Sequence, residues 1–194
     1  MAVPGCYPTA TNLGIAPLVD AGLIEPGSIV VDAISGVSGA GRAASERLHF
    51  SNLEGDVSAY GLLDHRHTAE MEMVLGSSVL FTPHLAPMVR GMLVTAYATP
   101  SRPTSTAELL ELLHASYDAE PFVQVISTPP STKWAHGSNS CFVTARADER
   151  TGRVVVLSAI DNLGKGAAGQ ALQAANVVLG LEEGLGLSKV GVWP

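Results

Sequence analysis

Cys6 stands in the run Pro4-Gly5-Cys6-Tyr7-Pro8, and Pro8 suits the first turn of a helix, which places the thiol at a helix mouth. There, unpaired N–H groups and the positive end of the dipole favour thiolate and offer an oxyanion site beside it. A lone cysteine elsewhere is ordinarily a small buried hydrophobe, and that is the reading for Cys141, which lies inside an apolar run. His65 and His67 form an H-x-H pair open to three readings: two metal ligands, a general acid/base with its neighbour, or polar residues at a helix entrance. A zinc site wants third and fourth ligands, and His49, His84, His114 and His136 are scattered without ligand spacing. Acid/base work therefore ranks above metal binding, and no metal is expected. Arg42, Arg66 and Arg90 are candidate anchors for anionic substrate groups, against the ordinary alternative of a solvated or ion-paired arginine. The stretch from Ser35 to Arg42 is glycine-rich and can present backbone N–H groups to a phosphate, although such loops serve many ends.

Periodicity and capping predict the elements that must position these residues. A helix runs from Pro8 towards Gly22, with Gly14 and Pro17 expected to kink or split it. The β-rich run 28–34 empties into the glycine-rich loop. Thr68 is the expected N-cap of a helix over 69–75, whose Glu70 and Glu72 suit the positive end of the dipole. Another helix starts near Ser105, where Ser105 and Glu108 have capping-box spacing and Leu109, Leu110, Leu112 and Leu113 supply an apolar face. Extended segments are expected at 79–82, 91–99, 122–126, 140–147 and 153–160, the last two joined as a hairpin through Asp148 to Gly152. Strands with few intervening helices predict an α+β domain, a mostly antiparallel mixed sheet with helices on one face. Gly164-Lys165-Gly166-Ala167-Ala168-Gly169 matches G-x-G-x-x-G, with Glu182 and Glu183 beyond it. A dinucleotide fold wants its acidic residue at the end of a second parallel strand, whereas these glutamates precede another glycine-rich stretch. The preferred reading is a helix start where glycines permit close packing, and a contact to a cofactor held elsewhere stays open.

The 194 residues read as one domain spanning 1–194. A net charge of −7 without any Lys/Arg cluster excludes nucleic acid and an anionic membrane surface as partners, leaving a small molecule or another protein. Only 15% of residues are charged, against about 25% in an average domain, so apolar surface is expected to be covered by a further chain. Two cysteines make no disulfide framework, the first basic residue is Arg42, and no apolar run is long enough to span a bilayer. A cytoplasmic protein with reduced thiols is the expectation.

The run Met1-Ala2-Val3-Pro4-Gly5-Cys6-Tyr7-Pro8-Thr9-Ala10 closely resembles the active-site signature of the N-acetyl-gamma-glutamyl-phosphate reductase family. Ser-Gly-Val-Ser-Gly-Ala-Gly-Arg at 35–42, His-Arg-His-Thr at 65–68, Phe-Thr-Pro-His-Leu-Ala-Pro-Met at 81–88 with Arg90-Gly91, Gly-Ser-Asn at 137–139 and Ala-Ile-Asp-Asn-Leu at 159–163 with Lys165 to Gln170 resemble it in the same order. The sequence departs at Asp64 and Ala69, where members often carry Gly and Pro, which bears on loop geometry more than on chemistry. The resemblance implies a fold similar to the C-terminal domain of glyceraldehyde-3-phosphate dehydrogenase and a homo-oligomer, dimer or tetramer. It implies Cys6 as nucleophile towards a small-molecule acyl phosphate and His65 as acid/base, with His67 and Tyr60 shaping the pocket. Arg66, Arg90 and Arg42 would hold anionic groups. Ser35, Gly36 and Asn162 would approach the nicotinamide end of NADP, bound mainly by a nucleotide-binding domain that this sequence lacks, with the helix near 164–180 packed on that domain. The expected activity is part of an NADPH-dependent reduction of N-acetyl-glutamyl 5-phosphate to the 5-semialdehyde in arginine biosynthesis, the chain alone being inactive as a reductase. The alternatives are a catalytically silent substrate-binding and assembly domain, or a related aspartyl- or aminoadipyl-phosphate reductase.

Overall fold

Alternating apolar residues build the centre of the sheet in the computed structural model, which describes residues 1–192. β1 (Ile29–Gly36) turns Ile29, Val31, Ala33 and Ser35 inward, and β3 (Val79–Ala86), parallel to it, does the same with Val79, Phe81, Pro83 and Leu85. β4 (Met92–Ala98) pairs antiparallel with β1 and with β7 (Arg153–Ile160), and β7 makes a hairpin with β6 (Cys141–Asp148). Short edge strands, β2 (Ser58–Ala59) antiparallel to β3 and β5 (Val123–Val125) parallel to β6, complete the order β2-β3-β1-β4-β7-β6-β5. The sheet is mixed with antiparallel pairings in the majority, the α+β architecture that the strand-rich pattern predicts.

Helices α1 (Cys6–Asp20), α3 (His67–Leu75) and α4 (Thr106–Tyr117) pack on the buried face, around Ile15, Leu18, Met71, Leu109 and Leu113. A four-residue turn α2 (Phe50–Leu53) lies in the long connection after β1, and α5 (Gly169–Val178) follows a π-helical turn over Gly164–Ala168. The other face of the sheet leaves Ile34, Leu80 and Tyr97 between 37% and 52% exposed.

Three local expectations are corrected. α1 is unbroken at Pro17, because the carbonyl of Leu13, whose helical donor the proline removes, instead accepts a hydrogen bond from the Tyr117 hydroxyl at 2.8 Å. Gly14 sits within the unbroken α1 and lets it approach β7: an added β-carbon would lie 3.2 Å from Val156 Cγ1. Thr68 is not the cap of α3, which begins at His67 with Arg66 in the cap position. Glu70 stands in the first turn of α3 as expected, and the two glutamates also bind backbone donors from elsewhere, Gly5 N on Glu70 (2.8 Å) and Val79 N on Glu72 (3.0 Å). Finally, β3 continues through Pro83 to Ala86. The Pro83 carbonyl points towards the β2 edge, where it accepts from Tyr60 N, so the missing N–H on that same side costs no bond to β1. The Ser105 cap is present as expected: its Oγ accepts from Glu108 N at 3.2 Å.

Candidate active site

The chain enters α1 through an extended Gly5, and Cys6 is the first helical residue. Two glycines allow the surroundings to close on it. A β-carbon on Gly5 would overlap the His67 ring, and one on Gly166, in the π-helical turn, would lie 2.8 Å from Cys6 Cβ. Cys6 is thus gripped between the start of α3 and that turn. Tyr7 anchors the next position, its buried ring packed edge-on against Phe81, His65 and His67, with centroids 5.2, 5.7 and 6.0 Å away.

A cavity of about 230 Å³ opens in front of the thiol. Cys6, Tyr60, His65, Arg66 and His67 all line it, together with the backbone of Gly36 and Gly39 at the end of β1. No carboxylate is among its lining residues. Burial pushes the Cys6 thiol up, opposed by the N–H groups of Tyr7 and Cys6 and by the Arg66 charge, so the helix start alone does not make it a resting thiolate. Burial, then the neighbouring Arg66, pulls His65 down, so its imidazole is neutral at neutral pH. Its Nδ1 accepts from His67 N at 3.2 Å, which assigns the proton of the neutral ring to Nε2. His65 consequently presents a donor to the cavity.

His67 is 7% exposed, and its Nδ1 has no hydrogen-bond partner. Burial drives its pKa down to about 4 from 6.5. The unfolded chain then takes up the proton first as pH falls, so stability is full above pH 6.5 and declines as the pH drops towards 4. The total is about 3 kcal/mol. Urea unfolding followed across that window should show the decline, and should show it much reduced in His67→Gln.

The other expected site residues distribute unequally. Ser35 lines the cavity with a buried side chain whose Oγ donates to the Gly36 carbonyl at 3.1 Å. Arg42 is exposed and outside the lining. Arg90 also lies outside it, its Nη2 2.9 Å from Asp161 Oδ2 and its Nε donating to Oδ1. Asn162 is buried and ties two loops together, accepting from Gly91 N (2.8 Å) and donating to Ser38 Oγ (3.0 Å). The glycines of the G-x-G-x-x-G run serve packing: β-carbons on Gly164 and Gly169 would overlap the Ser138 carbonyl and the Asn139 side chain. Cys141 is fully buried beside Ser158, with its thiol pushed up to about 11 by burial. Among the described residues no group of three or more His, Cys, Asp or Glu side chains is placed to hold a metal, and no helix is long and apolar enough to cross a membrane.

Sequence reasoning missed Arg47, which lines the cavity, Glu70, which holds Gly5 N beside Cys6, and Asp161, which fixes the turn behind Cys6. Arg47 lies outside every motif, and the two acids reach across the sequence, Glu70 to Gly5 N and Asp161 to Gly137 N and Arg90. No spacing signals those contacts.

A family profile described as the dimerisation domain of semialdehyde dehydrogenase matches residues 6–162. An N-acetyl-gamma-glutamyl-phosphate reductase of Desulforudis audaxviator is 51% identical over an alignment covering 100% of this chain and 58% of that protein. One from Gloeobacter violaceus is 50% identical, covering 98% and 57%. The chain thus spans a little over half the length of these relatives. Among solved structures, aspartate semialdehyde dehydrogenase II from Vibrio cholerae superposes with a TM-score of 0.75 at 17% identity, covering 92% of this chain and 62% of that one, a likeness of fold.

Proposed function

Because the chain belongs to the semialdehyde dehydrogenase dimerisation-domain family, we propose that it is the nucleophile-bearing part of an N-acetyl-gamma-glutamyl-phosphate reductase, NADP-dependent and serving arginine biosynthesis. The observation that carries this reading is Cys6 at the start of α1, sharing one carboxylate-free cavity with His65 and Arg66. Such a cavity favours an anionic substrate, and the relatives of about half identity are named for an acyl-phosphate one.

Cys6 Sγ attacks the acyl carbon of N-acetyl-glutamyl 5-phosphate, the C–O bond to phosphate breaks, and a thioester remains. The Arg66 charge favours the attacking thiolate against the opposing effect of burial. The amide groups at the helix start and the Nε2–H of His65 stabilise negative charge on the acyl oxygen. NADPH, when bound, supplies the hydride that reduces the thioester. His65 then steadies the thiohemiacetal oxygen until the C–S bond breaks and releases the semialdehyde. The described residues contain no second parallel βαβ unit to hold a dinucleotide, so this chain by itself acylates without reducing. The exposed Leu172, Val177 and Val178 of α5 form the surface that would meet a nucleotide-binding domain, and the helix-free face of the sheet is the surface for a second copy.

Mass spectrometry tests the reading. Incubation with N-acetyl-glutamyl 5-phosphate should release one equivalent of phosphate rapidly and leave the acyl group on the Cys6 peptide. His65→Asn should slow the burst about 100-fold, while the pH profile of Cys6 alkylation by iodoacetamide moves less. Absence of both burst and adduct would leave only a binding and assembly domain.

A further inference from the structure

We propose that Arg47 reads the α-carboxylate at the far end of the substrate, while Arg66 serves the phosphate at the reacting end; this rests on the acyl-phosphate reading above. Arg47 sits in a 3-10 turn (Glu46–Leu48) within the connection between β1 and β2. Its guanidinium is held through one nitrogen: Nη2 donates to the Ser58 carbonyl (3.2 Å), to Ser58 Oγ (3.1 Å) and more weakly to the Ala59 carbonyl (3.5 Å), and Cζ stands 4.8 Å from the centre of the Tyr60 ring. Nε and Nη1 have no hydrogen-bond partner among the described residues, so two of the three nitrogens of this exposed side chain are left to bind an anion in the cavity it lines. The support continues towards the nucleophile, since the Tyr60 hydroxyl donates to that of Tyr7 at 2.9 Å and Tyr7 adjoins Cys6.

Arg47 and Arg66 are the two arginines in the lining, and no carboxylate there neutralises either. Arg90 is matched to Asp161, and Arg42 lies outside the lining. Two free guanidiniums in one cavity suit a ligand with two separate anionic groups, and the proposed substrate has a phosphate on its reacting carbon and a carboxylate at the other end. The division between them follows position. Arg66 adjoins His65, and its charge acts on the Cys6 thiol. Arg47 is one aromatic ring further out and acts on Tyr60.

The test measures how ligands protect Cys6 from iodoacetamide in this chain. The probes are N-acetyl-L-glutamate, its α-carboxamide analogue, which keeps the γ-carboxylate, and inorganic phosphate. The parent protein should prefer N-acetyl-L-glutamate to the α-carboxamide by about 10- to 100-fold. Arg47→Gln should bring that ratio close to one without changing protection by phosphate, and Arg66→Gln should do the reverse. Arg47→Met keeps a side chain stacked on Tyr60 and should lose the preference equally, which separates charge recognition from packing. A preference retained in Arg47→Gln, or a loss of phosphate protection there, overturns the assignment alone. No protection by any probe in the parent protein overturns the acyl-phosphate reading and the assignment with it.

Discussion

Cys6→Ser should abolish the acylation burst, with phosphate release from N-acetyl-glutamyl 5-phosphate falling by on the order of 10⁴-fold or more. The substitution is nearly isosteric at a half-buried position, so folding should be unaffected and the loss chemical. A serine hydroxyl cannot be ionised near neutral pH by the forces available here. Two helix-start amides and one arginine only partly offset burial even for a thiol. His65 offers no rescue, because its acceptor nitrogen already faces His67 N and its proton lies on Nε2. A stopped-flow phosphate assay on parent and variant checks this. A burst persisting in Cys6→Ser would mean that water or another group attacks the acyl phosphate directly.

Asp161→Ala should cost about 3–5 kcal/mol in urea unfolding, the cost of breaking a buried ion pair from one side. The carboxylate is fully buried and accepts from Gly137 N (2.6 Å), Leu163 N (2.9 Å), Gly164 N (3.1 Å) and the Arg90 guanidinium. Burial pushes its pKa up, but these donors outweigh burial and hold it below the ordinary carboxylate value. Its contribution is therefore present above that ordinary value and is lost as the pH falls through the lowered one. Alanine would leave an arginine and three amides without an acceptor. The same bonds fix the π-helical turn whose Gly166 backs onto Cys6, so slower Cys6 alkylation should accompany the loss of stability. Asp161→Asn, which keeps one acceptor oxygen, should fall between the parent and alanine.

Much of the frame was legible because its signals are local. The strands announce themselves by alternation, α4 by Ser105 three residues before Glu108, and the glycine-rich run 164–169 as close packing by the absence of a second parallel strand behind it. Breaks at Gly14 and Pro17 were expected and did not occur, because the stabilising partners, Tyr117 and β7, arrive from distant sequence. Thr68 looked like a cap because Ser and Thr are good caps in general. The pairing of His65 Nδ1 with His67 N fixes the start of that helix instead.

The sequence by itself determined the α+β class, the cysteine at a helix start, the histidine pair as an acid/base candidate and the family resemblance. Each is a matter of residue type at short spacing, where chain geometry leaves few choices. Only the tertiary structure decided which arginines face the cavity. Arg42 and Arg90 lie within motifs yet stand outside the lining, while Arg47 lies outside any motif and stands within it. A guanidinium on a long side chain goes where the nearest acceptor and ring hold it, Asp161 for Arg90 and Ser58 with Tyr60 for Arg47. Those partners are 71 and 11 or more residues away, a separation that no local pattern encodes.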